Sequence, residues 1–161
     1  MGQECRRRVQ RRRLVNHNIN CGALLYSLET KRYLFLLRNQ KRHAGSWGLV
    51  GGKVETDETP AQALHREIAE EIGSIQIQKI IPLEKFTSSN NDFVYHTYLI
   101  TVANEFIPKL NDEHKGYAWT YLDDYPRPLH PGVWRTFNFK SIISKIKTFE
   151  NVIHQLQEQT A

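Results

Sequence analysis

Cysteine is scarce in this chain: Cys5 and Cys21 are the only two in 161 residues. Isolated thiols without metal-ligand spacing exclude a disulfide scaffold and a cysteine-bound zinc centre, and they suit a reducing cytoplasm. No apolar run approaches the ~18 residues of a membrane span, so no membrane partner is expected. The N-terminus has no apolar stretch of the secretory type, and Arg6 stands where a myristoylation motif needs Ser or Thr. A soluble, cytoplasmic protein is therefore expected. There is no internal repeat, and no low-complexity tract apart from one arginine-rich segment. The net charge of +5 shrinks on inspection. Of 22 basic and 17 acidic residues, six arginines and one glutamate fall within residues 1–13, leaving 16 of each sign in the remainder. Residues 1–16 thus read as a basic, flexible N-terminal arm, and 17–161 as one domain of ordinary size. Such an arm offers weak nucleic-acid binding through phosphate charge, though blocks of like charge are often only solvated tails.

Hydrophobic patterning alternates strands and helices. Asn20 to Leu28 and Arg32 to Arg38 read as strands joined by a short turn, followed by a polar, basic loop over Asn39 to Ser46. Trp47 to Glu55 carries the chain through Gly51-Gly52. Further strands are expected at Ile75 to Thr87, Phe93 to Val102 and Tyr117 to Leu122, with Ser88-Ser89-Asn90-Asn91-Asp92 as a turn. Ile142, Ile146, Phe149, Ile153 and Leu156 recur at helical spacing, predicting a long terminal helix after Pro131.

The most informative stretch is GKVETDETPAQALHREIAEEIGS, Gly52 to Ser74. Thr59 followed by Pro60 reads as a helix start, with a hydroxyl N-cap and proline where a missing N–H costs nothing. Gly73 is a suitable stop. At about 100° per residue, Ala61, Leu64, Ile68 and Ile72 form one stripe, expected to be the buried face. Glu67, Glu70 and Glu71 gather on a neighbouring flank, with Arg66 one turn before Glu70. Three crowded carboxylates repel one another unless a cation sits among them, and oxygen donors suit Mg²⁺ or Mn²⁺. A bare Glu-rich helix flank is usually solvated surface. Here Gly51-Gly52 and Glu58 precede it at set spacing, and so many fixed positions arise by chance about 10⁻⁸ times per start point.

These positions, Gly52, Glu58 and Arg66 to Gly73, resemble the signature of the Nudix hydrolases, which cleave a nucleoside diphosphate linked to another group. Val50 and Ser74 depart from the family pattern, where proline and an apolar residue are usual; neither carries chemistry. The resemblance implies an α/β/α sandwich around a mixed β-sheet and a Mg²⁺ or Mn²⁺ cofactor. It implies metal ligation by Glu67, Glu70, Glu71 and the Gly52 carbonyl, with Arg66 orienting the glutamates and Glu58 bracing the loop. Glu113, six residues before Trp119, matches the loop glutamate of MutT-like members, a catalytic or metal-binding position. Arg38 ends the second strand, where relatives place a phosphate-holding cation, and its fork suits two phosphate oxygens. His43 and His114 are each candidate substrate contacts, though single loop histidines are more often incidental. Glu67 and Glu113 are both candidates for general base. The expected substrate is a nucleoside triphosphate, cleaved to monophosphate and pyrophosphate. ADP-ribose, dinucleoside polyphosphates and capped RNA are alternatives, and a non-enzymatic alternative is a nucleic-acid-binding or regulatory module on an inactive fold. The intact glutamates weigh against that last reading.

Overall fold

Strand β1 (Asn18–Ser27) is where the sheet is organised. It runs parallel to β6 (Phe93–Val102) along its whole length. Its first half pairs antiparallel with β4 (Val50–Lys53), and its far end meets β2 (Tyr33–Arg38) at Tyr26 and Tyr33. β2 also pairs antiparallel with β3 (Trp47–Gly48) and β7 (His114–Thr120), and β5 (Lys79–Thr87) pairs antiparallel with β6. The result is a mixed seven-stranded sheet. The computed structural model describes residues 18–160, so the arginine-rich arm over residues 1–16 lies outside the described residues.

Alternation along β1 divides the core in two, because successive side chains point to opposite faces. Cys21, Ala23 and Leu25 pack with Ala63, Leu64, Ile68 and Ile72 of helix α1 (Pro60–Ile72). Leu24 and Tyr26 pack on the other face with Val133 and Phe137 of α2 (Pro131–Asn138) and Ile142, Ile146 and Ile153 of α3 (Lys140–Thr160). Helices therefore cover both faces, an α/β/α sandwich around a mixed sheet. Among the described residues, no helix is long and apolar enough to cross a membrane.

Four local expectations need correction. The buried stripe of α1 is centred on Ala63, Leu64, Ile68, Glu71 and Ile72, while Ala61, in the first turn, is only half-buried. The strand expected from Ile75 begins at Lys79. After α1 ends at Gly73 (φ +91°), Ile75 and Ile77 pack against the α1-side core without regular pairing. β7 starts at His114 because β2 carries the pairing on to Arg38, past an irregularity at Leu37. The terminal helix is two helices: Phe139 is extended, and His130 caps α2 by accepting the Gly132 N–H on Nδ1 at 3.1 Å.

Candidate active site

The site begins where α1 packs under β4. Thr59 and Gln62 form a reciprocal capping box that fixes where the helix starts. From there the helical repeat carries Glu67 and Glu71 beneath the Gly51-Gly52 pair. Glu71, only 2% exposed, accepts the Gly51 N–H at 3.1 Å. Neither glycine has room for a side chain. A Cβ on Gly51 would strike the Cys21 carbonyl on β1, and one on Gly52 would strike the Glu67 carboxylate. Val50, in place of the family's proline, is buried in the α1-side core.

Arg66 ties this end together. Its guanidinium donates twice to Glu58 at 2.9 Å, to the Lys53 carbonyl at 3.0 Å and to Glu67 Oε1 at 3.0 Å. These bonds hold Glu58 below the usual carboxylate range. The one-turn partner expected from sequence, Glu70, is at 3.5 Å, with its side chain 54% exposed. Arg66 therefore acts chiefly as a brace between the Glu58 loop and Glu67. Arg66→Lys keeps the charge but loses the fork. It should reduce kcat/KM and Mn²⁺ affinity by about 10- to 100-fold, as loss of a ligand's supporting partner generally does. Steady-state kinetics and a metal titration check this; an unchanged variant would reduce Arg66 to a source of charge.

The opposite wall comes from β2 and the start of β7. The loop after β2 folds back through Arg38 N–H to Ser46 carbonyl and Gly45 N–H to Arg38 carbonyl bonds. Asn39 then anchors the 111–114 segment, donating to the Glu113 carbonyl at 2.8 Å and the Asp112 carbonyl at 3.2 Å. Arg38 is thereby paired across the sheet with His114.

A cavity of about 610 Å³ opens between these walls. Glu67, Glu71, Glu113, Gly52 and Arg38 all line it, so the structure brings together five of the residues singled out by sequence. Glu70 and Arg66 are not in its lining. His114 and His43, candidate substrate contacts from sequence, are, together with Arg42, Asn20 and the rings of Phe93 and Tyr95. Nothing local in the sequence marks Arg42, Asn20, Phe93 or Tyr95. Asn20, Phe93 and Tyr95 sit on strands read only for burial, and β1–β6 pairing places Asn20 beside Tyr95.

Burial is the main cause that pushes Glu71 up to about 10, with the Glu113 carboxyl beside it adding to the effect. Burial likewise raises Glu67, against the pull of Arg66. His114 is lowered, first by burial and also by Arg38. One ligand atom each from Glu71, Glu113 and His114 lie within 4.8 Å of one another. Carboxylates packed this tightly in a poorly hydrated place need a proton or a cation. The donor set, two carboxylates and an imidazole, fits a divalent ion.

Carboxylates and arginines lining one cavity make a site where a cation and an anion can be held side by side. The chain belongs to the Nudix family, for the NUDIX domain model matches residues 16–139. Nucleoside triphosphatase NudI of Escherichia coli is 34% identical over 92 residues, covering 50% of this chain and 64% of that protein. The chain thus spans a little under two thirds of that relative's length. The crystal structure of a MutT NUDIX hydrolase from Burkholderia pseudomallei matches with TM-score 0.62 and 32% identity, covering 73% of this chain and 93% of that one. The NUDIX domain of Shewanella oneidensis NrtR, solved with ADP ribose, matches with TM-score 0.65 over 81% of this chain and 88% of that one. Its identity is 18%, a likeness of fold.

Proposed function

We propose that this protein is a Mg²⁺- or Mn²⁺-dependent pyrophosphohydrolase that cleaves a nucleoside triphosphate to monophosphate and pyrophosphate. The observation that carries the reading is the lining of the cavity, where the carboxylates of Glu67, Glu71 and Glu113 share one space with Arg38, Arg42 and the aromatic residues Phe93 and Tyr95. Guanidinium forks suit the outer phosphates, and the aromatic wall offers a face to a flat base. The relatives support the substrate class, one being a nucleoside triphosphatase.

Glu67, Glu71, Glu113 and the Gly52 carbonyl would hold the ion. When bound, the ion neutralises phosphate charge and lowers the pKa of a coordinated water. The remaining tasks fall to the protein. Arg38 and Arg42 position the phosphate chain, which is where most of the rate in phosphoryl transfer arises. A carboxylate accepts the water proton as the water oxygen bonds to phosphorus and the bond to the departing pyrophosphate breaks. Glu67 and Glu113, which both line the cavity, are the carboxylates we assign to this step. Glu70, exposed beside Arg66, is an outer ligand on this reading.

The test is a substrate panel with Mg²⁺, reading both pyrophosphate and orthophosphate. Nucleoside triphosphates should release pyrophosphate. Orthophosphate release from them, or turnover confined to ADP-ribose, dinucleoside polyphosphates or capped RNA, would overturn the substrate assignment.

A further inference from the structure

We propose that His114 is a direct nitrogen ligand of the active-site metal, so that the centre is a mixed oxygen–nitrogen site and not one of carboxylates and carbonyl alone. The inference rests on the metal-dependent reading above and deepens it.

His114 is 6% exposed, and its Nδ1 is buried without a hydrogen-bond partner among the described residues. Buried polar atoms are nearly always satisfied, so a bare imidazole nitrogen calls for a missing partner. The partner is indicated by where the ring lies. One of its nitrogens falls within 4.8 Å of ligand oxygens of both Glu71 and Glu113. Bonds of roughly 2.0–2.2 Å to one ion put its ligands about 2.8–4.4 Å apart, so a cluster within 4.8 Å can close around a single ion.

The surrounding backbone holds the ring in place before any ion arrives. The His114 N–H donates to the Asn111 carbonyl at 3.3 Å, and the Glu113 N–H donates to Asn111 Oδ1 at 3.1 Å. Asn39 clamps the Glu113 carbonyl from the neighbouring loop, and β7 pairs His114 with Arg38. On the far side, α1 fixes Glu71 through the Gly51 N–H. The three side chains thus converge from two separately braced elements.

Imidazole changes which ion is preferred. Mg²⁺ favours oxygen and keeps much of its water, whereas Mn²⁺, Co²⁺ and Zn²⁺ accept imidazole readily. A His114 ligand should therefore widen the preference for Mn²⁺ over Mg²⁺.

The experiment is pulsed EPR on the full chain loaded with one equivalent of Mn²⁺. The expected result is a directly bound ¹⁴N coupling that becomes a ¹⁵N coupling when histidine alone is ¹⁵N-labelled. His114→Gln should lose it and weaken Mn²⁺ binding by about 10- to 100-fold while changing Mg²⁺ binding much less. His43→Gln and His130→Gln should keep it. The labelled wild-type protein suffices should His114→Gln fail to fold. Bound Mn²⁺ without nitrogen coupling, or coupling lost through His43 or His130 instead, overturns the inference. Persistent hydrolysis without coupling sinks the His114 assignment alone. Coupling in a protein inactive on every nucleotide sinks the hydrolase reading and leaves the ligand standing. Failure to bind Mn²⁺ at all sinks both.

Discussion

Glu71→Gln is expected to lower kcat by at least ~100-fold while leaving the metal-free protein folded and no less stable. Glutamine matches the shape of the carboxyl and can still accept the Gly51 N–H, but it gives up the charge a divalent ion needs. The stability half follows from linkage. In the folded, metal-free protein burial and the neighbouring Glu113 push the Glu71 carboxyl up to about 10, well above the ordinary glutamate value of about 4.3. Between those limits the unfolded chain holds fewer protons at this position than the native one. Stability therefore falls as pH rises through that window. Glutamine removes this slope. Thermal melts in chelator from about pH 5 to pH 9 should show the variant gaining on the wild type as pH increases. A variant with wild-type kcat would make Glu71 a packing residue. A constant loss of Tm at every pH would mean that the Gly51 bond, not the charge, is what matters.

Chelation should abolish turnover entirely, and Mg²⁺ or Mn²⁺ should restore it. The carboxylates cannot themselves activate water or neutralise a triphosphate, so without the ion the cavity holds like charges facing a polyanion. Because Glu71 keeps its proton in the metal-free state, ion binding must expel that proton. Metal affinity should then rise with pH, and calorimetry in buffers of different ionisation enthalpy should report proton release. Full activity in EDTA would overturn the metal-dependent reading. Binding without proton release would mean that Glu71 is ionised before the ion arrives.

Much of α1 was legible in sequence because its determinants are local. Thr59, Pro60 and Gly73 bound the helix through their own backbone preferences, and Glu67 and Glu71 follow from the helical repeat. Glu113 was found through the family resemblance, by its spacing from Trp119. His114 could not be found in the same way. Its burial depends on β7 pairing with β2 and on a loop 70 residues earlier in the chain closing over it, neither of which leaves a pattern around position 114. The same holds for Asn20 and Tyr95, neighbours only through the parallel β1–β6 pair. The division of the terminal helix into α2 and α3 was not legible, because no proline or glycine marks the extended residue Phe139 between them. Glu70 sits at the margin of the site. Its spacing puts it on the glutamate flank, but that edge of the flank faces solvent.

Two glycines on adjoining strands act as an alignment key for the sheet. Gly22 of β1 lies opposite Gly51 of β4, and Tyr95 of β6 rests its hydroxyl over Gly22. A slip of β6 by one residue would turn Tyr95 toward the α1 face. A slip by two would keep the face but bring the ring against Asn20 or Leu24 instead of bare backbone. Gly51 is held just as strictly, since its hydrogen atoms stand where a methyl would strike β1. Misaligned sheets are therefore rejected by steric fit at the point where the cavity forms, before any ligand is present to select the correct one.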